Sequence, residues 1–392
     1  MKLLTSLFFY LTSLTVIAQS SFYDNIQLGD YTVGFYDSII FCTDEKYAQY
    51  EYEGDTPLFL QIWQPIAEPT KNDKLMVCDF RKRNLDSNLL SVYNPLCQKM
   101  DSAFVWYNIQ EDFVNFDPIN YGQYSYFDVL DTIKNYKTRS YYSKNPINSN
   151  LPIIIYHHGA QGLSDENFVL AEYFASRGYI VVSSNYHLPY KNETYGYSEG
   201  SEKEDINLTK RVIEFARSLT TSNEVYYIGH SLGAQIGFSF LHEQGWANAF
   251  VSMETTLEFW DSTKIKEMWP KLDSLMSQYE KDYSLPILML ANTRENKPFN
   301  FFSGITNTTT IHASAKEEFG HESYTSGYLL RYLYKDQFTQ PDTLELKRQL
   351  ELYSEHLLLI EDFINSCSKG TSFNHAKYEP NFYINKYNAN KN

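Results

Sequence analysis

Residues 225–233 have the sequence Val-Tyr-Tyr-Ile-Gly-His-Ser-Leu-Gly, and this stretch decides the fold. Its first four residues are apolar and aromatic, which is typical of a strand buried on both faces. The two glycines flank Ser231 in the pattern Gly-x-Ser-x-Gly. Between a strand and a helix, this pattern places the serine on a tight bend with its hydroxyl exposed. The sequence therefore predicts that Ser231 is a nucleophile; the alternative is a serine that only caps the following helix.

Buried strands and amphipathic helices alternate on both sides of this stretch. Such alternation predicts an α/β fold with a mostly parallel central sheet, right-handed crossovers and helices on both faces. The predicted strands cover residues 151–156, 179–184, 225–228, 249–253, 286–290 and 308–311, and the predicted helices cover residues 165–175, 203–219 and 232–241.

The remaining segments extend this unit into one predicted domain over residues 19–378. Residues 22–70 are β-rich, and residues 79–150 are polar and aromatic without a clear period, as in an insertion or cap. Apolar residues spaced three and four apart predict a C-terminal helix over 340–366, and residues 379–392 are expected to form a polar tail.

The N-terminus has the pattern of a secretory signal peptide. Met1 and Lys2 precede an apolar stretch that ends at Val16-Ile17-Ala18, so we expect cleavage after Ala18 and a secreted or periplasmic protein. An uncleaved anchor is the alternative, but the stretch is short and contains several Ser and Thr. No later segment is as long as a membrane span, so stable membrane insertion is not expected.

The composition limits the class of partner. Lys plus Arg is 33 and Asp plus Glu is 48, which gives a formal charge of −15 and argues against nucleic-acid binding. Hydrophobic residues make up 43% of the chain, which excludes a disordered protein. The 34 Tyr and 26 Phe fit many kinds of surface or pocket and decide nothing alone.

Four cysteines remain after the predicted cleavage site. An exported protein permits disulfides, and Cys78 and Cys97 are the nearest pair in sequence. Free buried thiols are an equal alternative because a domain of this size needs no cross-links. The remaining two cysteines are Cys42 and Cys367.

A second glycine turn follows the strand that ends at Tyr156. His158, Gly159 and Ala160 follow that strand. A glycine at a strand end lets backbone amides turn toward the nucleophile, so the amides of Ala160 and Leu232 are predicted to form an oxyanion hole. We expect His158 and Gly159 to contribute to the substrate site, His158 by ordering the loop.

No cofactor or metal is expected in this site. The adjacent His157 and His158 point to opposite sides of the strand end, and no carboxylate stands at ligand spacing from them. His157 is therefore expected to be structural.

A catalytic serine needs a base, and the base needs an orienting carboxylate. Glu254 directly follows the strand 249–253, and Glu295 follows the strand after it. Both belong to loops at the carboxyl ends of the predicted parallel strands. Asp261 is a weaker third possibility. Each of the three could instead be a solvated loop carboxylate.

Two histidines compete for the role of base. His312 lies in or at the end of the last predicted strand, whereas His321 follows Gly320 in the loop beyond it. The loop position can reach the nucleophile, so His321 is preferred. His187 is expected to line the substrate pocket, and His230 is expected to lie beside the nucleophile.

On these residues the chain resembles the α/β-hydrolase superfamily, and within it the branch of dienelactone-hydrolase-like proteins and secreted platelet-activating-factor acetylhydrolases. The blocks that carry the resemblance are residues 158–160, 176–182 and 229–233, within a likeness that runs from about residue 28 to 330. Segment 81–150 has little counterpart.

The resemblance also implies site residues. This branch places its acid straight after the strand that follows the nucleophile helix, which is the position of Glu254, although the family pattern there implies Asp. Its base, a histidine followed three residues later by an aromatic residue, matches His321 and Tyr324.

The resulting expectation is a secreted serine carboxylesterase or acetylhydrolase that acts on short-chain acyl esters, including those of lipids. The triad would be Ser231, His321 and Glu254, with a small-molecule ester as the partner. A serine peptidase of the prolyl-peptidase type shares the fold and triad, but the chain lacks a propeller-sized N-terminal domain. A catalytically inert binding protein is the alternative of a different class.

Overall fold

The computed structural model has a central ten-stranded mixed sheet and a separate two-stranded sheet, which residues 120–121 and 124–125 form. In chain order the strands are β1 (Thr32–Gln49), β2 (Tyr52–Ile66), β3 (Asn120–Tyr121), β4 (Tyr124–Ser125), β5 (Ser140–Tyr142), β6 (Ile153–His157), β7 (Ile180–Ser184), β8 (Val225–His230), β9 (Ala249–Met253), β10 (Ile287–Ala291), β11 (Thr309–Ala315) and β12 (Phe382–Asn388). The structure describes residues 22–69, 73–109, 120–121, 124–160, 162–191, 202–255, 262–268, 270–277, 283–291, 309–337 and 340–388.

Helices connect and cover these strands. They are α1 (Ser87–Ile109), α2 (Tyr126–Lys134), α3 (Phe168–Ala175), α4 (Glu202–Ser218), α5 (Leu232–Phe240), α6 (Ser262–Met268), α7 (Pro270–Ser277), α8 (Ser326–Leu329) and α9 (Gln340–Lys369). Short 3₁₀ turns lie at Phe22–Asn25, Val77–Arg81, Glu322–Tyr324 and Leu330–Gln337.

The strand order across the sheet is β12-β11-β10-β9-β8-β6-β7-β2-β1-β5. The six strands from β11 to β7 in this order run parallel, while β2 pairs antiparallel with β7 and β12 pairs antiparallel with β11. The carboxyl ends of the six parallel strands therefore meet at one edge, the carboxyl edge. The predicted α/β class with a mostly parallel sheet is confirmed.

Alternate side chains of each central strand enter two separate cores. In β6, Ile154 and Tyr156 belong to one apolar cluster together with side chains of α1, α3 and α9. Ile153 and Ile155 belong to a second cluster with side chains of α4 and α5. Full burial of such a side chain contributes about 1.5–3 kcal/mol, so the continuous apolar run of β6 is stabilised from both faces.

Half of the segment expected to form a polar tail is a strand. Residues 382–388 form β12, which pairs with β11 from Phe382–Ala315 to Asn388–Thr309. Phe382 is buried and Tyr383 is exposed, so the segment alternates as an edge strand does. The last parallel strand also extends four residues beyond the predicted end at residue 311, to Ala315.

The inserted segment is more regular than its sequence pattern predicted. The chain forms the long helix α1 despite Pro95 within it, and β5 returns to the main sheet beside β1. Strands β1 and β2 form one long hairpin within the β-rich segment, and its turn residues Tyr50 and Glu51 have φ of 53° and 67°. Such left-handed pairs match the twist of a two-residue hairpin turn.

The four cysteines are free thiols in the structure, which agrees with the alternative of free thiols and not with a Cys78–Cys97 pair. Within the ranges given above, no helix has both the length and the apolar character needed to cross a bilayer.

Candidate active site

Ser231 lies on a strained bend between β8 and α5. Its φ of 51° and ψ of −114° fall outside the ordinary regions for a residue with a side chain, a conformation that costs about 1–3 kcal/mol. A Cβ on Gly229 would lie 2.5 Å from the amide nitrogen of Ala234, and one on Gly233 would lie 2.2 Å from the carbonyl oxygen of His157. Both positions therefore require glycine.

The bend is held from a neighbouring strand. The Ser231 amide donates to the carbonyl oxygen of Met253, the last residue of β9, at 2.9 Å. Ser231 also begins α5, where Leu232 is the first helical residue. An amide at this position has no acceptor within the helix, so the Leu232 N–H is available to a ligand.

Glu254 follows Met253 directly and lies at the same carboxyl edge. Its side chain is fully buried, its φ is 42°, and its amide donates to the carbonyl oxygen of Leu290 at 2.8 Å. One carboxylate oxygen, Oε2, contacts Nδ1 of His321 at hydrogen-bond distance. The structure thus brings together two residues that lie 67 positions apart in sequence.

His321 is the more exposed partner in this contact, with 28% of its side chain accessible. Burial alone would lower the pKa of its imidazole, but the charge of Glu254 and the hydrogen bond to it outweigh this effect and raise the pKa to about 9. Because Nδ1 faces Glu254, the second ring nitrogen, Nε2, is the one left for other chemistry.

His230 lies between Ser231 and the loop of His321. Its ring centroid is 5.1 Å from that of His321, and its Nε2 is 3.1 Å from the carbonyl oxygen of His321. Its Nδ1 is 3.1 Å from Oε1 of Glu166. His230 is almost completely buried beside the nucleophile.

Glu166 is the site residue that the sequence analysis missed. Its buried Oε1 accepts hydrogen bonds from the Tyr156 hydroxyl at 2.7 Å and from the Gly159 amide at 3.1 Å, in addition to the contact with His230. Burial alone would raise its pKa, but the hydrogen bond and charge of His230 lower it, so the carboxylate is ionised.

Gly159 brings the backbone of the β6 turn against the nucleophile. A Cβ built on Gly159 would lie 3.3 Å from Cβ of Ser231 and 3.1 Å from Nδ1 of His230. The Gly162 amide donates to the Gly159 carbonyl at 3.1 Å and closes a tight turn around Ala160. The backbone that the sequence predicted to supply an oxyanion amide therefore lies beside Ser231.

His158 uses both ring nitrogens within the protein. Its Nε2 accepts the Tyr186 amide at 3.2 Å, which leaves the proton on Nδ1, and Nδ1 donates to the Gly159 carbonyl at 2.7 Å. Burial lowers the pKa of His158 to about 4, so the ring is neutral. The ring thus bridges the Gly159 turn and the backbone of Tyr186.

The other histidines near the turn have different environments. His187 is half-buried, with its ring centroid 5.5 Å from that of His158, at the margin of the site. His157 is buried, its Nδ1 is 2.7 Å from the Tyr227 hydroxyl, and its ring stacks on Tyr186. His157 is therefore structural, as predicted.

The competing base, His312, is not part of this cluster. His312 lies within β11, buried and opposite Met289 and Asn385 in the sheet register. Glu295 and Asp261 lie outside the described residues. In the same part of the chain, no group of three or more His, Cys, Asp or Glu side chains is arranged to hold a metal ion.

Comparison with solved structures shows the α/β-hydrolase fold. A ferulic acid esterase from Streptomyces cinnamoneus superposes with a TM-score of 0.56 at 12% sequence identity, covering 90% of this chain and 96% of that one. At this identity the likeness establishes the fold alone. No protein-family model and no curated protein sequence matches the chain.

Two further esterases superpose less well. Brefeldin A esterase, described as a bacterial homologue of human hormone-sensitive lipase, gives a TM-score of 0.33 at 11% identity, covering 69% of this chain and 64% of that one. Est1E from Butyrivibrio proteoclasticus gives 0.34 at 15% identity, covering 52% and 91%. These scores are too low to support an argument.

Proposed function

We propose that this protein is a serine ester hydrolase with Ser231 as nucleophile, His321 as base and Glu254 as the orienting acid. One observation carries the proposal: a buried carboxylate binds Nδ1 of His321, and the carbonyl oxygen of this histidine contacts the residue before a serine at a strained strand–helix bend. A solvated loop carboxylate or a simple helix cap requires neither the left-handed backbone nor this pairing.

In the first half of the reaction, Oγ of Ser231 attacks the ester carbonyl carbon while Nε2 of His321 takes the hydroxyl proton. Glu254 keeps the other proton on Nδ1 and stabilises the imidazolium that forms. The carbonyl oxygen becomes an oxyanion and accepts hydrogen bonds from the backbone amides of Ala160 and Leu232. Each such donor contributes about 2.7–4 kcal/mol to the transition state.

In the second half, the tetrahedral intermediate expels the alcohol oxygen, which takes the proton from Nε2 of His321. The acyl group remains as an ester on Ser231. Water then attacks this ester while His321 takes its proton, and collapse of the second intermediate returns that proton to Ser231 and releases the carboxylic acid. These steps use only protein groups and water.

The proposed substrates are short-chain acyl esters of small alcohols or lipids. The fold of the Streptomyces cinnamoneus protein, a ferulic acid esterase by name, makes aryl esters a reasonable addition to the test panel. Relative rates on p-nitrophenyl acetate, p-nitrophenyl octanoate, methyl ferulate and an aminoacyl p-nitroanilide distinguish acyl length and separate an esterase from a peptidase.

Labelling with a fluorophosphonate probe tests the nucleophile. We expect the wild-type protein to be labelled at Ser231 and the Ser231→Ala variant to be unlabelled. The exposed Ser218 in α4 provides the matched control, because Ser218→Ala should be labelled like the wild type. Folded wild-type protein that takes up no label would support an inert binding protein instead.

We further propose that the protein is exported after cleavage behind Ala18. N-terminal sequencing of the protein from the periplasm or culture fluid of its producing cells should begin at Gln19. Retention of Met1 in an intracellular pool would reject export.

A further inference from the structure

Glu166 is held in a fixed position from three directions. Its neighbour Asp165 forms a bidentate ion pair with Arg81 at 2.7 and 2.8 Å, and both side chains are buried. Its own carbonyl oxygen accepts the Gly327 amide at 2.6 Å and the Ser326 hydroxyl at 3.2 Å. A carboxylate with so firm a support can fix the position of whatever it binds.

The groups bound by Glu166 both lie next to the nucleophile. One is the Gly159 amide, in the turn that precedes Ala160, and the other is Nδ1 of His230, the residue before Ser231. His230 in turn reaches the carbonyl oxygen of His321 through Nε2. A continuous chain of hydrogen bonds therefore runs from the oxyanion turn to the backbone of the base.

The ionised state of Glu166 fixes the direction of its hydrogen bond with His230. One ring nitrogen of His230 faces a carboxylate oxygen and the other a carbonyl oxygen, both of which only accept hydrogen bonds. Nδ1 of His230 therefore donates to the Glu166 carboxylate, and a hydrogen bond to a charged acceptor is about twice as strong as one between neutral groups.

We propose that Glu166 and His230 are a pair of positioning residues that hold the oxyanion turn and the His321 loop in register across Ser231. This inference rests on the proposed function. Neither side chain touches the reacting atoms: Glu166 acts through the Gly159 backbone, and His230 acts through the His321 backbone. The pair therefore affects the transition state more than substrate binding.

Glu172 supplies a matched control for Glu166. It lies in α3, is equally buried, and also accepts three hydrogen bonds, from the Tyr23 hydroxyl, the Arg139 amide and the Ser140 hydroxyl. None of these partners belongs to the site. Glu172→Gln therefore reports the general effect of neutralising a buried glutamate, without the positioning effect.

The experiment compares Glu166→Gln, His230→Gln and Glu172→Gln by steady-state kinetics on p-nitrophenyl acetate. We expect kcat to fall about 10–100-fold in the first two with KM changed less than about threefold, as for other residues that orient catalytic groups. Glu172→Gln should retain the wild-type kcat. The double variant Glu166→Gln/His230→Gln should lose little more than either single variant, because the two residues act as one unit.

A second readout does not depend on turnover. The Nδ1–H of His230, which faces the buried Glu166 carboxylate, should give a low-field proton resonance that is absent from Glu166→Gln and His230→Gln but present in Glu172→Gln and Ser231→Ala. Wild-type kcat in folded Glu166→Gln, or independent losses that multiply in the double variant, would overturn the positioning role and leave the serine hydrolase intact. A wild-type protein that neither labels nor turns over would instead reject the proposed function, and this inference with it.

Discussion

The pKa of histidine shifts in opposite directions at the carboxyl edge and in the β11–α9 region. At the carboxyl edge, Glu254 raises the pKa of His321 to about 9. Within β11, burial lowers the pKa of His312 to about 4, and burial does the same for His356 in α9. A histidine side chain is therefore readily protonated in the first region and resists protonation in the second.

The glutamates of α3 and the loop before it repeat this contrast. Glu166 and Glu172 are both fully buried, but the pKa of Glu166 is lowered because it faces His230, whereas burial raises that of Glu172. A buried acid becomes an ionic partner only where a base is placed opposite it. The opposite pKa shifts of these two glutamates therefore distinguish the acid beside the nucleophile from the acid in α3.

The largest expected effect comes from removing His321, the histidine whose pKa is raised. His321→Ala should lower kcat by about 10⁵-fold or more, as expected for loss of a triad base. His312→Ala should leave kcat unchanged and reduce only the stability. Turnover of p-nitrophenyl acetate by the two variants checks this, and equal losses in both would mean that the base is misassigned.

The acid gives the next largest effect. Glu254→Gln should lower kcat by about 10⁴-fold, because a neutral amide no longer fixes the productive tautomer of His321 or stabilises its cation. Glu295→Gln is the comparison variant and should remain near wild type. A reversed order of the two variants in kcat would move the acid to Glu295.

The pH dependence of activity follows from the raised pKa of His321. The base must be neutral to take a proton, so kcat/KM should fall about tenfold for each pH unit below about 9. The profile is measured from pH 6 to 10 on an ester that is stable in that range. A profile that is flat above pH 7 would show that His321 has an ordinary pKa.

The smallest expected effect concerns stability. His312 has its pKa lowered in the folded state, so its contribution is complete above the ordinary value of 6.5 and is lost as the pH falls toward about 4. The free energy of unfolding should drop by roughly 3 kcal/mol over this interval from this residue alone.

Urea denaturation at several pH values measures this dependence. His312→Leu should be less sensitive to acid than the wild type, whereas His375→Gln, at a half-buried position on the surface, should follow the wild type. Parallel curves for the wild type and His312→Leu would show that His312 is not the titrating group.

The local pattern of the sequence predicted the elements that carry the nucleophile and the acid. Strands β8 and β9 are continuous apolar runs, and their carboxyl ends are adjacent because consecutive parallel strands pair in register. This places Glu254 beside Ser231 without any knowledge of the remainder of the fold. The contact of Glu254 with His321 follows from the same edge geometry.

Glu166 could not be predicted in this way. It lies in an irregular loop, and its partners Tyr156, Gly159 and His230 come from two strands and a turn that converge only in three dimensions. The one local signal was its position next to Asp165, in the turn that precedes the apolar helix α3.

The helix α1 and strand β12 escaped prediction for different physical reasons. Pro95 within α1 interrupts the helical pattern, although tertiary packing of Leu96, Phe104 and their neighbours preserves the helix. The strand β12 has only short alternation and acquires its hydrogen bonds from β11, far away in the chain. Edge pairing of this kind leaves little trace in sequence.

The backbone conformation of Glu254 lowers the stability of the fold while serving catalytic activity. A left-handed φ of 42° suits glycine or asparagine better than glutamate, and the side chain buries a charge. Selection for heat resistance alone should therefore enrich small or amide replacements at this position and extinguish hydrolysis at the same time. An engineer who seeks a more robust variant should keep residue 254 fixed and look for gains elsewhere in the scaffold.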